Sequence, residues 1–190
     1  MRSVKEPDVR KQEILEGAIK VFAKKGYDGT TISDIAKELN ISQGLCYRYF
    51  PSKDAIYDAA LEKYAGSIAR EDQRMTDLDL PIKDLVDRVT SATDYKKAEK
   101  KDKELYQLFH SKDSSRMHDE LSIRVTKKVL PIVRERLRRA KETGEITIED
   151  PDGAAIAGTY AWMGVFMTEG LTDKERLRMI RSIWYALLKL

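Results

Sequence analysis

The chain has 190 residues, of which 42% are hydrophobic and 35% are charged, with a formal net charge of +3 and one cysteine. This composition is typical of a folded globular protein and argues against a disordered chain. One cysteine excludes an internal disulfide, and the charged start MRSVKEPDVRKQE lacks the apolar core of a signal peptide, so a cytoplasmic location is expected.

The longest apolar-rich stretch is AAIAGTYAWMGVFM at residues 154–167. It is shorter than the roughly 20 residues that a membrane span needs, so it predicts a buried helix and no membrane partner. The net charge of +3 does not by itself indicate nucleic-acid binding. Any case for DNA binding must therefore depend on where the charges lie.

The N-terminal third of the chain carries the start and stop signals of four helices. The first is predicted over 9–25, with Asp8 as its N-cap and Gly26 as its stop. Its predicted inward side chains are Ile14, Leu15, Ala18, Val21 and Phe22. Pro51 ends the third helix, and Ser52 is the expected N-cap of the fourth.

The second and third predicted helices have the spacing of a helix-turn-helix unit. Thr31 and Asp34 form an acidic variant of the capping box that starts the second helix, and Asn40 ends it because asparagine tolerates the left-handed conformation. The third helix is predicted over 42–49. Ala36 is small where the two helices cross, as a fixed crossing angle for entry into a DNA major groove requires.

The side chains left outside this core match the chemistry of base edges and phosphates. With Ile41 and Cys46 assigned inward, Gln43 can pair with adenine, Arg48 can contact guanine or phosphate, and Leu45 can touch a thymine methyl. The candidate DNA-binding residues are Thr31, Ser42, Gln43, Gly44, Leu45, Tyr47, Arg48, Tyr49 and Lys53.

Two of these assignments have specific arguments and alternatives. Lys53 lies in the first turn of a helix, where the helix dipole disfavours a cation unless an anion such as phosphate binds there. Cys46 is expected to be a small apolar core group rather than a nucleophile. The alternative for residues 31–54 is a helical hairpin that only packs within a bundle.

Gly26 and Tyr27, followed by TTISDIAKELNISQGLCYRYFPSKDAI, resemble the DNA-binding domain of the TetR family of transcriptional regulators. The resemblance implies a homodimeric regulator, most simply a repressor, that binds a palindromic double-stranded operator and is released by a small-molecule inducer. It also implies a protein that is not an enzyme and needs no cofactor. Leu45, Cys46 and Arg48 depart from the residues usual in the family, which leaves the operator sequence open.

The remaining predicted helices are longer. They cover 82–100, 103–111, 117–142, 151–170 and 173–189. Asp150 followed by Pro151 marks one start, and Thr172 with Glu175 is a capping box at another. Pro131 lies inside a predicted helix, which it is expected to kink.

Together these elements predict an all-α protein of about nine helices in two domains. Residues 8–66 are expected to form a three-helix, TetR-type helix-turn-helix DNA-binding domain, with its recognition motif at 31–50. Residues 67–190 are expected to form a helical ligand-binding and dimerisation domain.

Candidate residues for both C-terminal roles follow from apolar stripes and from the resemblance. The residues expected at the dimer interface are Ile156, Tyr160, Met163, Met167, Ile180, Trp184 and Leu187. The resemblance implies an inducer pocket among the C-terminal helices, and plain core packing is the alternative for its candidate residues. These are Tyr106, Phe109, His110, Met117 and Trp162.

Other functions compete with this interpretation. His110 and His118, with Asp113 and Asp119 nearby, fit an all-helical metal-dependent enzyme. An architectural DNA-binding protein without a ligand is a further possibility. The basic run RERLRRAK at 134–141 is expected to be a solvated surface, or else a face that receives an acidic ligand.

Overall fold

The structure is a computed structural model that describes residues 6–76, 80–91 and 115–190, with side chains from residue 118 onward in the last range. These residues form eight helices and no strand, which confirms the all-α prediction. The helices are α1 (Pro7–Lys25), α2 (Ile32–Glu38), α3 (Gln43–Tyr49), α4 (Lys53–Thr76), α5 (Ile82–Val89), α6 (Ser115–Glu142), α7 (Pro151–Met167) and α8 (Asp173–Leu188). The predicted helix 103–111 lies outside the described residues.

The chain divides into two compact units, and the boundary falls between Tyr64 and Ala65, inside α4. Of the described residues, 6–64 and 115 belong to the first unit, and 65–76, 80–91 and 116–190 belong to the second. None of the described helices is both long and apolar enough to cross a membrane.

The first helix of the first unit begins at Pro7, with Glu6 as its N-cap, two residues before the predicted start at residue 9. Proline is favoured at this position because its missing N–H needs no partner in the first turn. The predicted N-cap, Asp8, is therefore wrong, since Asp8 lies inside the first turn of the helix. At the other end Gly26 has φ +74° and its amide donates to the Phe22 carbonyl at 2.8 Å. All five predicted inward side chains of α1 are buried.

A close contact joins α1 to the end of α2. A Cβ at Gly17 would lie 2.6 Å from Cδ2 of Leu39. Any larger residue at Gly17 would therefore displace Leu39, which is the residue that ends α2.

The second unit has a separate core, built from α5, α6, α7, α8 and the segment before α7. One closely packed point is Gly158, where an added Cβ would lie 2.3 Å from the Trp184 ring. The indole therefore packs directly on the α7 backbone. The predicted caps at Asp150 and at Thr172 with Glu175 are both confirmed.

Two helices of the second unit end earlier than predicted. The helix predicted over 82–100 ends at Val89, and the Thr90 amide and hydroxyl both donate to the Val86 carbonyl, at 3.1 and 2.6 Å. Residues 92–100 lie outside the described residues. The helix predicted to reach residue 170 ends at Met167.

The basic run in α6 is not a uniformly solvated surface. Arg136 is buried, and its Nη2 donates to the Leu80 carbonyl at 2.8 Å and to Glu145 Oε2 at 2.9 Å. Arg138 donates through Nε and Nη2 to the Asp152 carboxylate, at 2.8 and 2.6 Å. The prediction of a solvated face is therefore wrong for Arg136, because its charge holds the start of α5 and the end of α6 together.

Candidate nucleic-acid interface

The helix-turn-helix unit is formed by α2 and α3. The Thr31 hydroxyl accepts from the Asp34 amide at 3.2 Å, and the Asp34 carboxylate accepts from the Thr31 amide at 2.9 Å. Asn40 has φ +52°, and the Ile41 amide donates to the Ala36 carbonyl at 2.9 Å across the turn. The predicted capping box and the predicted left-handed asparagine are both confirmed.

One side of α3 is fixed in the core of the first unit. Cys46 is completely buried, and Phe50 at the end of the helix is 3% exposed. Burial raises the pKa of the Cys46 thiol, which stays a neutral apolar group as predicted. These anchors determine which α3 side chains face solvent.

The opposite side of α3 presents three polar side chains to solvent. Gln43, Tyr47 and Arg48 are exposed, Tyr47 by 51%. None of the three makes a side-chain hydrogen bond or ion pair within the described part of the chain. Leu45 and Tyr49 are half-buried at the edges of this face. The amide, phenol and guanidinium groups are therefore available for an external partner.

Gly44 lies in the first turn of the same helix and is exposed. A Cβ built there meets no atom within 4 Å, so packing within the chain does not require glycine. Its absent side chain leaves the main chain of this turn accessible to a partner that approaches closely.

Thr31 and Ser42 differ in how much of their hydrogen-bonding capacity the caps use. The Thr31 hydroxyl donates to Asp34 Oδ2 at 2.7 Å, so its proton is committed to the capping box. A Thr31 side-chain bond to phosphate would require that box to open. The Ser42 hydroxyl accepts from the Leu45 amide at 3.2 Å and keeps its own proton for a phosphate oxygen.

Lys53 has partners inside the first unit that its position in the sequence did not indicate. Its ammonium donates to the Tyr27 carbonyl at 2.8 Å and lies 4.2 Å from the centroid of the Tyr27 ring. The Tyr27 hydroxyl donates to the Asp54 carboxylate. An ammonium has three N–H groups, so Lys53 retains donors for a phosphate.

Two lysines at the end of α1 pair with carboxylates of α2. The Lys25 ammonium lies 2.7 Å from Asp34, and that of Lys24 lies 3.6 Å from Glu38. The Lys25 ammonium, followed by the Thr31 hydroxyl and amide, holds the pKa of Asp34 well below its usual range. Arg48 and Lys53 add positive charge beside α3, and the Lys11 ammonium lies 5.5 Å from the centroid of the Phe50 ring at the end of that helix.

The prediction that Ile180 and Trp184 of α8 lie at the dimer interface is wrong, because both are buried within a single chain. Ile180 is 1% exposed and Trp184 is 7% exposed, because both pack in the core of the second unit. The stripe on α7 faces outward: Ile156, Tyr160 and Met167 are 40%, 44% and 37% exposed. Met163 and Leu187 are half-buried.

The candidate inducer residues are only partly described. Tyr106, Phe109 and His110 lie outside the described residues, and the side chain of Met117 is not described either. Trp162 is half-buried and stacks on Phe166, with ring centroids 6.0 Å apart.

The enzyme alternative depends on a metal site. The described residues contain no group of three or more His, Cys, Asp or Glu side chains that could hold a metal ion. His118 has a partner within the chain. The other histidine of that hypothesis, His110, lies outside the described residues.

Comparisons with known proteins identify relatives of the helix-turn-helix segment. The family model for bacterial regulatory proteins of the tetR family matches residues 14–60. YuxN, an uncharacterised HTH-type transcriptional regulator of Bacillus subtilis, is 51% identical over 51 residues, which are 27% of this chain and 18% of that protein. IcaR of Staphylococcus aureus, the negative transcriptional regulator of the biofilm operon icaADBC, is 46% identical over 52 residues, which are 27% of this chain and 28% of that protein.

The fold is shared over nearly the whole chain with solved structures. SmeT, the repressor of the Stenotrophomonas maltophilia multidrug efflux pump SmeDEF, matches with a TM-score of 0.64 and 20% identity. The match covers 93% of this chain and 88% of SmeT. At this identity the likeness concerns the fold alone, whereas the N-terminal match extends to the residues themselves.

Proposed function

Since residues 14–60 of this chain belong to the tetR family of bacterial regulatory proteins, we propose that the chain is a DNA-binding transcriptional regulator and not an enzyme. Repression is the most direct mode, because IcaR, which matches this chain residue by residue in the helix-turn-helix segment, is a negative regulator. Such a regulator would act in the cytoplasm, on double-stranded operator DNA.

The observation that carries this proposal is the outward face of α3. Gln43, Tyr47 and Arg48 project from a helix whose other side is fixed by the buried Cys46. Within the described residues these three groups have no side-chain partner, and a major groove about 12 Å wide offers each of them one.

The proposed contacts divide between bases and phosphates. Gln43 would pair with adenine, Arg48 with guanine or a phosphate, and Leu45 with a thymine methyl. Ser42, Tyr47 and Lys53 would donate to phosphates and so set the register of α3 on the duplex. The same protein–DNA contact would include the Gly44 main chain, the edge of Tyr49 and the start of α2 at Thr31.

We further propose that residues 8–66 are the DNA-binding domain and that residues 67–190 carry dimerisation and ligand binding. The outward stripe of α7, formed by the exposed Ile156, Tyr160 and Met167 and the half-buried Met163, would pack against a second copy of the chain. A two-fold dimer recognises a palindromic operator when its two α3 helices stand about 34–36 Å apart, or a whole-turn multiple of that distance.

Release by a small molecule would act through this spacing. An inducer that binds the second unit better in a DNA-incompetent arrangement would shift the dimer away from its operator. The connecting element is α4, which runs from Lys53 in the first unit to Thr76 in the second. Trp162 remains a proposed ligand contact, together with the candidates outside the described residues.

An unbiased selection of bound DNA fragments from the source genome tests the proposal. The full-length chain is immobilised, incubated with sheared genomic DNA and washed, and the retained fragments are sequenced. We expect a few fragments that share an inverted repeat, and their loss in a Tyr47→Ala, Arg48→Ala double variant. Retention without any shared sequence would contradict a regulator that recognises an operator.

A further inference from the structure

The connection between α1 and α2 reaches the first turn of α4 through Tyr27. Gly26 has φ +74°, which turns the chain out of α1 and leaves Tyr27 beside the start of α4. The Tyr27 ring lies 4.8 Å from the Tyr57 ring and 5.7 Å from the Phe22 ring, measured between centroids. The ring is thus fixed by side chains of both α1 and α4.

Tyr27 also bonds two neighbouring residues of opposite charge. Its carbonyl oxygen accepts from the Lys53 ammonium at 2.8 Å, and the same ammonium lies 4.2 Å from the centroid of its ring. Its hydroxyl donates to the Asp54 carboxylate. Tyr27 therefore holds both charges at the start of α4. Its carbonyl oxygen and its ring contact the Lys53 cation, and its hydroxyl contacts the Asp54 anion.

The Tyr27 hydroxyl can keep this role at any physiological pH. Burial, followed by the neighbouring Asp54 carboxylate, raises the pKa of Tyr27 to about 12. The phenol therefore keeps its proton and continues to donate to Asp54. The carboxylate has a neutral partner, so it need not pair with the adjacent ammonium.

We infer that Tyr27 is a positioning residue for DNA binding: it keeps the Lys53 ammonium at the phosphate-facing start of α4, separate from the Asp54 carboxylate, without touching DNA itself. This inference rests on the proposed function. Without the hydroxyl, Asp54 would lose its donor and would become available to pair with the Lys53 ammonium, which also contacts Tyr27. The charge that faces phosphate would then be partly neutralised.

The alternative is that Lys53 only completes the hydrogen bonding of the Tyr27 carbonyl. A buried or half-buried lysine that donates to a main-chain oxygen can stabilise a turn without any ligand. The two roles make different predictions for DNA binding, because only the positioning role couples Tyr27 to Lys53 when affinity for DNA is measured.

A double-variant cycle on the full chain separates these roles. The probes are a duplex from the genomic selection and a duplex of unrelated sequence of the same length, and binding is followed by fluorescence anisotropy over a salt series. The variants are Tyr27→Phe, which keeps the ring, Lys53→Met, and the two combined. Tyr64→Phe, which removes a hydroxyl about three turns further along α4, is the matched control.

We expect Lys53→Met to lower affinity about tenfold at low salt and to reduce the salt slope by about 0.9 per protomer, the value for one phosphate contact. Tyr27→Phe should lower affinity about threefold in the wild-type background and reduce the slope in the same direction. In the Lys53→Met background it should change neither quantity. Tyr64→Phe should leave both quantities at the wild-type value.

Each contrary outcome identifies what failed. Equal losses from Tyr27→Phe in both backgrounds, or a lower unfolding midpoint with an unchanged salt slope, would overturn the positioning role and leave the proposed function intact. An unchanged slope in Lys53→Met would overturn the phosphate contact on which it depends. If the wild-type chain binds neither duplex, the proposed function itself fails, and the inference fails with it.

Discussion

Gln43 is the exposed α3 side chain whose amide can read a base most directly. Replacing Gln43 by alanine should cost about 1 to 3 kcal/mol on the preferred duplex, because a bidentate pair with adenine is lost. The preference should relax at one base position per half-site, while binding to unrelated DNA should stay near the wild-type value. Competition binding against duplexes that carry every base at each position measures both effects.

The control for this change is Gln12→Ala on α1, where the amide donates to Glu16 Oε1 at 2.6 Å. That variant should keep the wild-type base preference. A preference that is equally relaxed in both variants would indicate a general loss of fold and not the loss of a base contact.

At the scale of single residues, the sequence identified which α3 side chains face outward. It did not identify the contact that the first turn of α4 makes with Tyr27. Cys46 and Ala36 could be assigned inward because helical periodicity fixes one face once a core is assumed. The contact of Lys53 with Tyr27 joins residues that are 26 positions apart, and no local pattern encodes it. The only sequence signal was the Gly-Tyr pair at the end of α1, which marks a turn but does not indicate its neighbour.

The α2 helix begins with a carboxylate whose protonation should weaken the first unit in acid. The pKa of Asp34 in the folded chain lies below the unfolded value of about 3.9, because Lys25 and then Thr31 stabilise the charged form. The stabilisation by Asp34 is therefore complete above about pH 4 and is lost as the pH falls through the folded pKa.

We expect the thermal unfolding midpoint of the wild-type chain to exceed that of Asp34→Asn at about pH 6 and to approach it as the pH falls below about 4. Circular dichroism at 222 nm over this pH series measures the difference. A constant gap between the two chains down to about pH 2 would contradict this use of the Asp34 carboxylate.

Helix starts were more predictable than helix ends and helix partners. The boxes at Thr31 and Thr172 involve only residues within one turn, so their chemistry is readable from sequence. The end of α5 could not be predicted from the sequence, because a threonine such as Thr90, whose hydroxyl donates to the Val86 carbonyl, is compatible with a helix end or with a helix that continues. Ile180 and Trp184 were misassigned since an apolar stripe shows that a face is covered, but not whether α7 of the same chain covers it.

For the molecule as a whole, dimerisation is proposed to depend on the outward stripe of α7. A charge at Ile156, which is 40% exposed in the single chain, should be buried and unpaired in the dimer. We expect Ile156→Glu to shift the chain from dimer to monomer and to weaken operator binding strongly, because the two half-sites are no longer bound together. Sedimentation velocity at several protein concentrations measures the shift.

The matched control is Ile123→Glu, the same change at an aliphatic residue of α6 that is 42% exposed. It should leave the chain dimeric. If both variants sediment like the wild-type chain, the α7 stripe is not the dimer interface. If both become monomeric, the interface extends beyond α7 to α6.

The central claim is that α3 docks on DNA through the face that carries Tyr47. The most direct measurement is a gel-shift titration of the wild-type chain and of Tyr47→Ala over a salt series, on the selected operator fragment and on an unrelated duplex. We predict that the variant keeps its fold but binds both duplexes about tenfold more weakly, because a hydrogen bond to a phosphate is lost. Its salt slope should stay near the wild-type value, because the neutral phenol releases no counterion. Unchanged affinity in a folded Tyr47→Ala dimer would contradict the proposed docking.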